Sequence, residues 1–185
     1  YHLIEIEGAE ADDIIATYVQ NIKKPNEKAL IISADHDFMQ LHKHSNVKQW
    51  SSTKNDYVLC KIDPKDKLFE HIIKGDKGDG IPNVLSDDDT IIDGRRQRPV
   101  HYKKLENWKK DPVNMPQDSE FIKNFERNQT LIDLSRIPDQ IKQKIEDKIF
   151  FSLISYENKY PCKETLKNYF NEHKLNSMLE LIEEF

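Results

Sequence analysis

A short apolar segment, Ala29–Ser33, constrains the fold of this 185-residue chain more than any other feature. Its residues form a continuous apolar run, which is typical of a strand buried on both faces of a parallel sheet. The run leads directly into Asp35, His36 and Asp37. In open α/β sheets, ligands bind outside the carboxyl ends of the strands. The sequence therefore predicts a buried parallel strand with two carboxylates at the edge where a ligand binds.

The segments around this strand predict an α/β arrangement. Apolar residues recur at helical spacing in Ala9–Ile22. Two more short strands are predicted at Val47–Trp50 and Tyr57–Ile62, with a turn between them. Residues 1–62 are therefore expected to form one α/β domain.

From Asp63 the pattern changes to helices. Asp63 is a favourable N-cap, and Pro64 suits the first helical position. A turn-rich connection containing several glycines follows at 75–89, and the chain from about Asp118 onward is mainly helical. Residues 63–185 are therefore expected to form a second, mainly α-helical domain.

Three acidic clusters lie on these predicted elements. The first begins the first helix, where the helix dipole also favours acids. The second follows the apolar strand, where one aspartate alone could cap the next helix. The third lies in the glycine-rich connection, where acids are also ordinary solvated turn residues. Mg²⁺ prefers carboxylate oxygens, and a nuclease site needs acids from several segments. The acids of the three clusters are Glu10, Asp12 and Asp13, then Asp35 and Asp37, then Asp76 and Asp79.

The clusters lie within three motifs, Glu10–Asp13, Ile32–Leu41 and Lys74–Asp79, that resemble the successive metal-site motifs of the 5′ nuclease family. That family includes the flap endonucleases and the 5′-exonuclease domains of bacterial DNA polymerases. Within it, the chain most resembles the ribonuclease H group of T-even bacteriophages, over essentially its whole length. The resemblance implies an α/β nuclease core followed by a mainly α-helical DNA-binding domain with a helix-three-turn-helix element.

The resemblance also implies a function. The family's activity is that of a metal-dependent 5′–3′ exonuclease or flap endonuclease, which removes RNA primers or 5′ flaps during DNA replication. Two Mg²⁺ ions are expected in a complete site, with Mn²⁺ as a substitute. Asp13 is a neighbour without an assigned role. The implied catalytic residues are Asp12, Asp35 and Asp37, and the implied metal ligands are Glu10, Asp12, Asp35, Asp37, Asp76 and Asp79.

By the same resemblance, the family's metal site takes further aspartates from segments that precede Tyr1. We therefore expect the nuclease core to be incomplete at its N-terminus in this chain. The 185 residues alone are expected to be inactive or weakly active. An N-terminal nuclease fragment in trans is one way to complete the site.

The basic residues are concentrated in one stretch. The net charge of −5 gives no overall support for nucleic-acid binding. Between Gly94 and Lys110, however, seven lysines and arginines accompany one acid. This pattern favours a surface that contacts phosphates, although charge runs are also common on solvated faces. The predicted DNA contacts are Arg95, Arg96, Arg98, Lys103 and Lys104, with Lys74, Lys77, Gly78 and Gly80 of the glycine-rich motif.

Two other functions remain open at this stage. The chain could be a duplex-DNA-binding module without a working site, or a PIN-type nuclease acting on RNA. The Gly75–Asp79 turn and the long helical region argue against the PIN-type alternative. The expected partners are duplex DNA or an RNA/DNA hybrid with a 5′ end or flap, and possible protein partners are a sliding clamp or a single-strand DNA-binding protein. No membrane association is expected, and the location is expected to be cytoplasmic, in an infected host cell if a phage encodes the protein.

Overall fold

The structure, a computed structural model, describes residues 3–156, 163–180 and 182. By its contacts the chain divides into two compact units. One comprises residues 6–146, and the other comprises the described parts of residues 1–5 and 147–185. No helix within the described ranges is long and apolar enough to cross a membrane.

The architecture is one helix and a small sheet, followed by a series of helices, as the sequence predicts. The domain boundary expected at residue 62 and the helix-three-turn-helix element both stay predictions. The strands are β1 (Ala29–Ile32), β2 (Val47–Ser51) and β3 (Asp56–Tyr57). The α-helices are α1 (Ala11–Thr17), α2 (Pro64–Lys74), α3 (Tyr102–Lys110), α4 (Ser119–Ile132), α5 (Asp139–Tyr156), α6 (Lys163–Glu172) and α7 (Asn176–Glu180). A π-helical turn, Tyr18–Ile22, extends α1, and 3₁₀ segments lie at Asp37–Lys43 and Pro112–Asn114.

The first strand is parallel, as predicted, but it is buried on one face only. β1 pairs in parallel with β2, from Ala29 opposite Val47 to Ile32 opposite Trp50. Ile31 is 5% exposed, whereas Ile32 is 70% exposed. The prediction of burial on both faces is therefore wrong for this structure. The physical reason is that the core packs against the face that carries Ile31, while β1 forms one edge of the sheet.

The third strand is shorter than the sequence predicts. Only Asp56–Tyr57 pairs with β2, in antiparallel orientation, instead of the whole of Tyr57–Ile62. The amide of Val58 still donates to the carbonyl of Gln49 at 3.0 Å. Beyond this buried valine the chain leaves the sheet, and the side chain of Leu59 is 74% exposed. The strand prediction for residues 58–62 is therefore wrong, because these residues lead towards α2 instead of continuing the ladder.

Helix α2 begins where the sequence predicts. The carboxylate of Asp63 accepts a hydrogen bond from the amide of Lys65 at 2.8 Å, and Pro64 occupies the first turn. The buried Ile72 and Ile73 of this helix belong to two different hydrophobic clusters. Because both side chains are nearly inaccessible, the C-terminal end of α2 is held firmly in the unit formed by residues 6–146.

Two larger hydrophobic clusters surround the elements that carry the acidic motifs. One fills the space between α1, β1, β2 and the first 3₁₀ segment, and the other joins α2, α3 and α4. The members of the first are Ala16, Val19, Ile31, Phe38, Leu41, Val47 and Ile137. The members of the second are Ile73, Val84, Leu105, Trp108 and Phe121.

A buried amide connects the first 3₁₀ segment to the end of α4. Gln40 donates from Nε2 to the carbonyl of Ile132 at 2.8 Å, and its Oε1 accepts from the amide of Leu134 at 3.1 Å. Replacing Gln40 with leucine leaves both backbone groups unpaired, so we expect the free energy of unfolding to fall by about 2 to 4 kcal/mol. Urea denaturation measures this loss. The control Gln117→Leu, at an exposed position, is expected to change it by less than about 0.5 kcal/mol. Equal effects would contradict a buried anchoring role.

Candidate metal centre

The first acidic motif lies at the N-terminus of α1. Glu10 is the N-cap residue, and its amide donates to the carboxylate of Asp13 at 3.0 Å. This bond satisfies one of the amides that a helix N-terminus leaves free, and the acid also suits the helix dipole. Asp13 is therefore explained by helix capping. Asp12, on the first turn, has no such local bond among the described residues and is available to interact with other segments.

The second acidic motif follows β1, where the sequence predicts it. The carboxylate of Asp35 accepts a hydrogen bond from the amide of Asp37 at 3.0 Å. Gln49 of β2 is 1% exposed, and its amide donates to the carbonyls of Ser33 and Asp35. A buried side chain of the neighbouring strand therefore fixes the backbone that carries these two acids.

The third acidic motif follows α2 in a tight turn. Gly75 ends the helix at φ 68°, a left-handed conformation that glycine adopts easily. The carboxylate of Asp76 then accepts hydrogen bonds from the amides of Gly78 at 2.7 Å and Asp79 at 3.3 Å. Partial burial opposes ionisation, but the bonds from His71 and from these amides outweigh it and lower the pKa of Asp76. Asp76 is thus held as a carboxylate.

His71 connects the second and third motifs, and sequence analysis gave this residue no role. Its ring lies between two carboxylates, with Nδ1 3.1 Å from Oδ1 of Asp37 and Nε2 2.9 Å from Oδ2 of Asp76. The hydrogen bond to Asp37 raises the pKa of His71 against the opposing effect of burial. These three side chains have ligand atoms within 4.8 Å of one another. The available sequence signal was a histidine in the last turn of α2, just before the acidic turn.

The acids of the first motif and those of the third motif each interact electrostatically with the acids of the second. Burial, followed by the charges of Asp35 and Asp37, raises the pKa of Asp12 to about 6. Partial burial and the charges of Asp76, Asp37 and Asp35 raise the pKa of Asp79. Acids from separate segments therefore repel one another across a shared space. Asp12 interacts in this way with Glu10, Asp13, Asp35 and Asp37, and Asp79 interacts with Asp35, Asp37 and Asp76.

The donor set fits a divalent cation that prefers oxygen. Carboxylates supply almost all of the donor atoms, and this chemistry suits Mg²⁺ or Mn²⁺ better than a thiolate-binding metal. Burial and then repulsion raise the pKa of Asp12, and a bound cation would offset both effects. A cleft of about 170 Å³ opens beside the cluster, lined by Asp37, His71 and Asp76 together with residues of α2 and the first 3₁₀ segment.

The predicted DNA contacts fall into two groups. Arg95 forms ion pairs with Asp87, Asp89 and Asp93 of its own loop. Arg98 lies 3.4 Å from Glu120, and Lys74 lies 3.1 Å from Glu70. The other predicted cations are exposed and form no ion pair with any residue in the described ranges; they are Arg96, Lys103, Lys104 and Lys77. Gly78 and Gly80 lie in the turn around Asp76.

The acids of the triplet at residues 87–89 form ion pairs within the protein. Asp88 pairs with Lys123 at 3.0 Å and also with Arg127. The hydrogen bonds from Arg127 and Lys123 lower the pKa of Asp88, and the bond from Arg127 has the larger effect. Asp88 therefore has two basic partners, whereas Asp87 and Asp89 share Arg95 with Asp93.

The sheet, the helices and the gathered acids together define a 5′–3′ exonuclease-type fold, and residues 1–70 match the family described as 5′-3′ exonuclease, N-terminal resolvase-like domain. Residues 61–185 match the family described as T4 RNase H, C terminal. Because this second match covers most of the sequence, the chain belongs to the T4 RNase H family of 5′ nucleases. The resemblance stated from the sequence motifs is confirmed.

Individual relatives support the same assignment. The chain is 32% identical to ribonuclease H of Enterobacteria phage T4 over 194 residues, which covers 100% of this chain and 61% of the phage protein. It is 34% identical to flap endonuclease Xni of Shewanella piezotolerans over 92 residues, or 45% of this chain and 36% of that protein. The chain thus spans about three fifths of its phage T4 relative.

A solved structure supports the fold. The T5 D15 protein, co-crystallised with metal ions, superposes with a TM-score of 0.56 and 20% identity. The superposition covers 80% of this chain and 62% of the T5 D15 chain. The predicted fold class, an α/β nuclease core followed by helices, is therefore confirmed.

Proposed function

We propose that this protein acts as a divalent-metal-dependent 5′–3′ exonuclease or flap endonuclease that removes RNA primers or 5′ flaps during DNA replication. The observation that carries the proposal is the cluster of Asp37, His71 and Asp76 near the carboxyl end of β1, together with the repulsion between Asp12 and the acids Asp35 and Asp37. A DNA-binding module has no need of such a costly arrangement of like charges. Membership in a family of 5′ nucleases gives the same reaction class.

The proposed metal ligands are the sequence-predicted ones. Mg²⁺, with Mn²⁺ as a substitute, would be held by Glu10, Asp12, Asp35, Asp37, Asp76 and Asp79, with Asp12, Asp35 and Asp37 nearest the reaction. Two such cations supply an activated water molecule and stabilise the leaving oxygen of a phosphodiester. The residues of this chain orient the acids: Gln49 fixes the backbone at Asp35, and the amides of the glycine-rich turn fix Asp76.

The proposed substrate is duplex DNA or an RNA/DNA hybrid with a 5′ end or flap. Arg96, Lys103 and Lys104 are the best candidates for phosphate contacts, because they are exposed and have no acidic partner among the described residues. Lys77, Gly78 and Gly80 are proposed to contact the strand near the metal centre. Arg95, Arg98 and Lys74 must exchange an internal acidic partner for a phosphate, and are weaker candidates.

Further partners are proposed on the same basis. They are a sliding clamp, a single-strand DNA-binding protein and an N-terminal nuclease fragment acting in trans, in the cytoplasm of a phage-infected cell. The trans fragment matters most for testing, because the chain spans 61% of its phage T4 relative and the proposed ligand set can be completed from outside these residues.

The proposed function is tested by cleavage of a labelled 5′-flap duplex in Mg²⁺. The wild-type chain, Asp35→Asn and the exposed control Glu126→Gln are each assayed with and without an N-terminal fragment from a family member. We expect cleavage in the complete mixture, loss of cleavage by at least about 100-fold in Asp35→Asn, and an unchanged rate in Glu126→Gln. The asparagine retains the shape of the side chain but loses the negative charge that binds the cation.

A different outcome would support the alternative function. Salt-sensitive duplex binding that survives Asp35→Asn, with no cleavage in any mixture, would identify a DNA-binding module. Phosphate contacts alone produce such binding, and its affinity falls steeply as the salt concentration rises.

A further inference from the structure

His71 bridges two acids that come from different segments of the chain. Its two ring nitrogens lie 3.1 Å and 2.9 Å from single oxygens of Asp37 and Asp76, respectively. Asp37 begins the 3₁₀ segment after β1, whereas Asp76 lies in the turn after α2. Among the described residues, no other side chain forms a hydrogen bond or an ion pair with both acids.

The ring is held in place by the helix that carries it. The next two residues, Ile72 and Ile73, are 4% and 0% exposed. The carbonyl of Ile72 also accepts a hydrogen bond at 2.8 Å from the fully buried Asn128. The side chain of His71 is itself only 20% exposed. A backbone fixed in this way gives the imidazole a defined position relative to both acids.

We propose that His71 is a positioning residue that sets the separation and orientation of Asp37 and Asp76 for a divalent cation, an inference that rests on the proposed function. Without the ring, two like charges on separate segments move apart, and the cation meets a less well-formed site. With it, one oxygen of each carboxylate is fixed. Each carboxylate still has free lone pairs for the cation, because its two oxygens offer about four acceptor positions.

Both ring nitrogens lie within hydrogen-bond distance of carboxylates, and as an imidazolium the ring donates to both, which favours positioning over direct ligation. A nitrogen that bound the cation itself would have to leave its acid. Hydrogen-bond partners of metal ligands typically change metal affinity by about 10- to 100-fold when they are removed. The same range is expected for His71.

The experiment compares wild type with His71→Leu, His71→Gln and the control His101→Leu, whose histidine is exposed at the start of α3. Mn²⁺ affinity is measured by calorimetry on the protein at its full natural length. Pulsed electron paramagnetic resonance of the Mn²⁺ complex reports any nitrogen bound to the metal. We expect Mn²⁺ affinity to fall about 10- to 100-fold in His71→Leu. It should fall less in His71→Gln, whose amide can still donate to one acid, and should not change in His101→Leu.

The electron paramagnetic resonance spectrum and the Mg²⁺ dependence of cleavage distinguish a positioning role of His71 from direct ligation. We expect no directly bound ¹⁴N in wild type, and in His71→Leu a higher Mg²⁺ concentration for half-maximal cleavage with a nearly unchanged rate at saturation. A directly bound ¹⁴N signal, or Mn²⁺ affinity unchanged in both His71 variants, overturns the proposal. If His71→Leu does not fold, His71→Gln carries the test alone. Mn²⁺ affinity is measured without substrate, so a failure of flap cleavage would contradict the proposed function separately.

Discussion

Replacing Gly75 with alanine is expected to lower the free energy of unfolding by about 3 to 5 kcal/mol, from left-handed backbone strain and steric overlap combined. Gly75 has φ 68°, and a Cβ atom built on it lies 2.3 Å from the carbonyl oxygen of Ile81 and 2.5 Å from that of Pro82. Both atoms belong to the backbone, so no side-chain rotation can relieve the overlap. The turn itself has to move.

The displacement is expected to reach the metal centre. Asp76 follows Gly75 directly and pairs with Ile81 across the turn. The amide of Val84 also bonds to the carbonyl of Ile73, which ties the far side of the turn to α2. A shift that makes room for the methyl group therefore moves the Asp76 carboxylate away from His71, and divalent-cation affinity should fall together with stability.

A matched glycine separates backbone strain from overlap. Gly94 has φ 65°, but a Cβ atom there has nothing within 4 Å. Gly94→Ala should therefore show only the conformational cost, about 1 to 2 kcal/mol. Urea denaturation of both variants measures the difference. Equal losses in the two variants would show that the close approach of the turn to Gly75 has no energetic consequence.

Asp12→Asn is expected to stabilise the cation-free protein above pH 6 by about 1 to 2 kcal/mol, after allowance for solvent screening. Burial and the neighbouring acids raise the pKa of Asp12 from 3.8 to about 6 in the folded protein. The folded state therefore holds this proton more tightly than the unfolded state. For this group, stability falls as pH rises from about 4 to about 6 and is constant above that window.

The effect should reverse when a divalent cation is present. The cation stabilises the folded wild type by binding it, and the variant has lost one of its proposed ligands. We therefore expect a smaller Mg²⁺-induced increase in the melting temperature of Asp12→Asn, and cleavage slower by at least about 100-fold. Unfolding curves between pH 4 and pH 8, with EDTA or Mg²⁺, measure both changes. The control Asp56→Asn, exposed on β3, should retain the wild-type pH dependence. If the stability of Asp12→Asn depended on pH as steeply as that of wild type, Asp12 would not be the group that causes this pH dependence.

Local signals in the sequence predicted the elements that local interactions determine. The start of α2 was predictable because Asp63 and Pro64 act on their immediate neighbours. The burial of β1 was not, because an apolar run does not tell how many faces have a packing partner. Ile32 is apolar yet 70% exposed.

The candidate site was predictable in part for the same reason. Asp35 and Asp76 were found from short motifs, whereas His71 was missed because its contact with Asp37 joins distant segments. The DNA contacts predicted in the basic stretch stay predictions, and their acidic partners were not part of the sequence argument. Arg95 was predicted to bind phosphate, but acids from its own loop surround it. Those acids are near in sequence and could have been considered.

The bridge formed by His71 has a consequence for recombination between this protein and its distant relatives. Asp37 lies in the segment that matches the resolvase-like domain, whereas Asp76 lies beyond residue 70, within the segment that matches the T4 RNase H C-terminal family. Recombination between distant relatives near residues 61–70 would join a sheet edge to a helix that had not been selected together. Such a hybrid could retain every acid and still misplace them. Selection should therefore favour inheritance of the two segments as one unit. The two segments are compatible only when the imidazole of His71 can contact both Asp37 and Asp76.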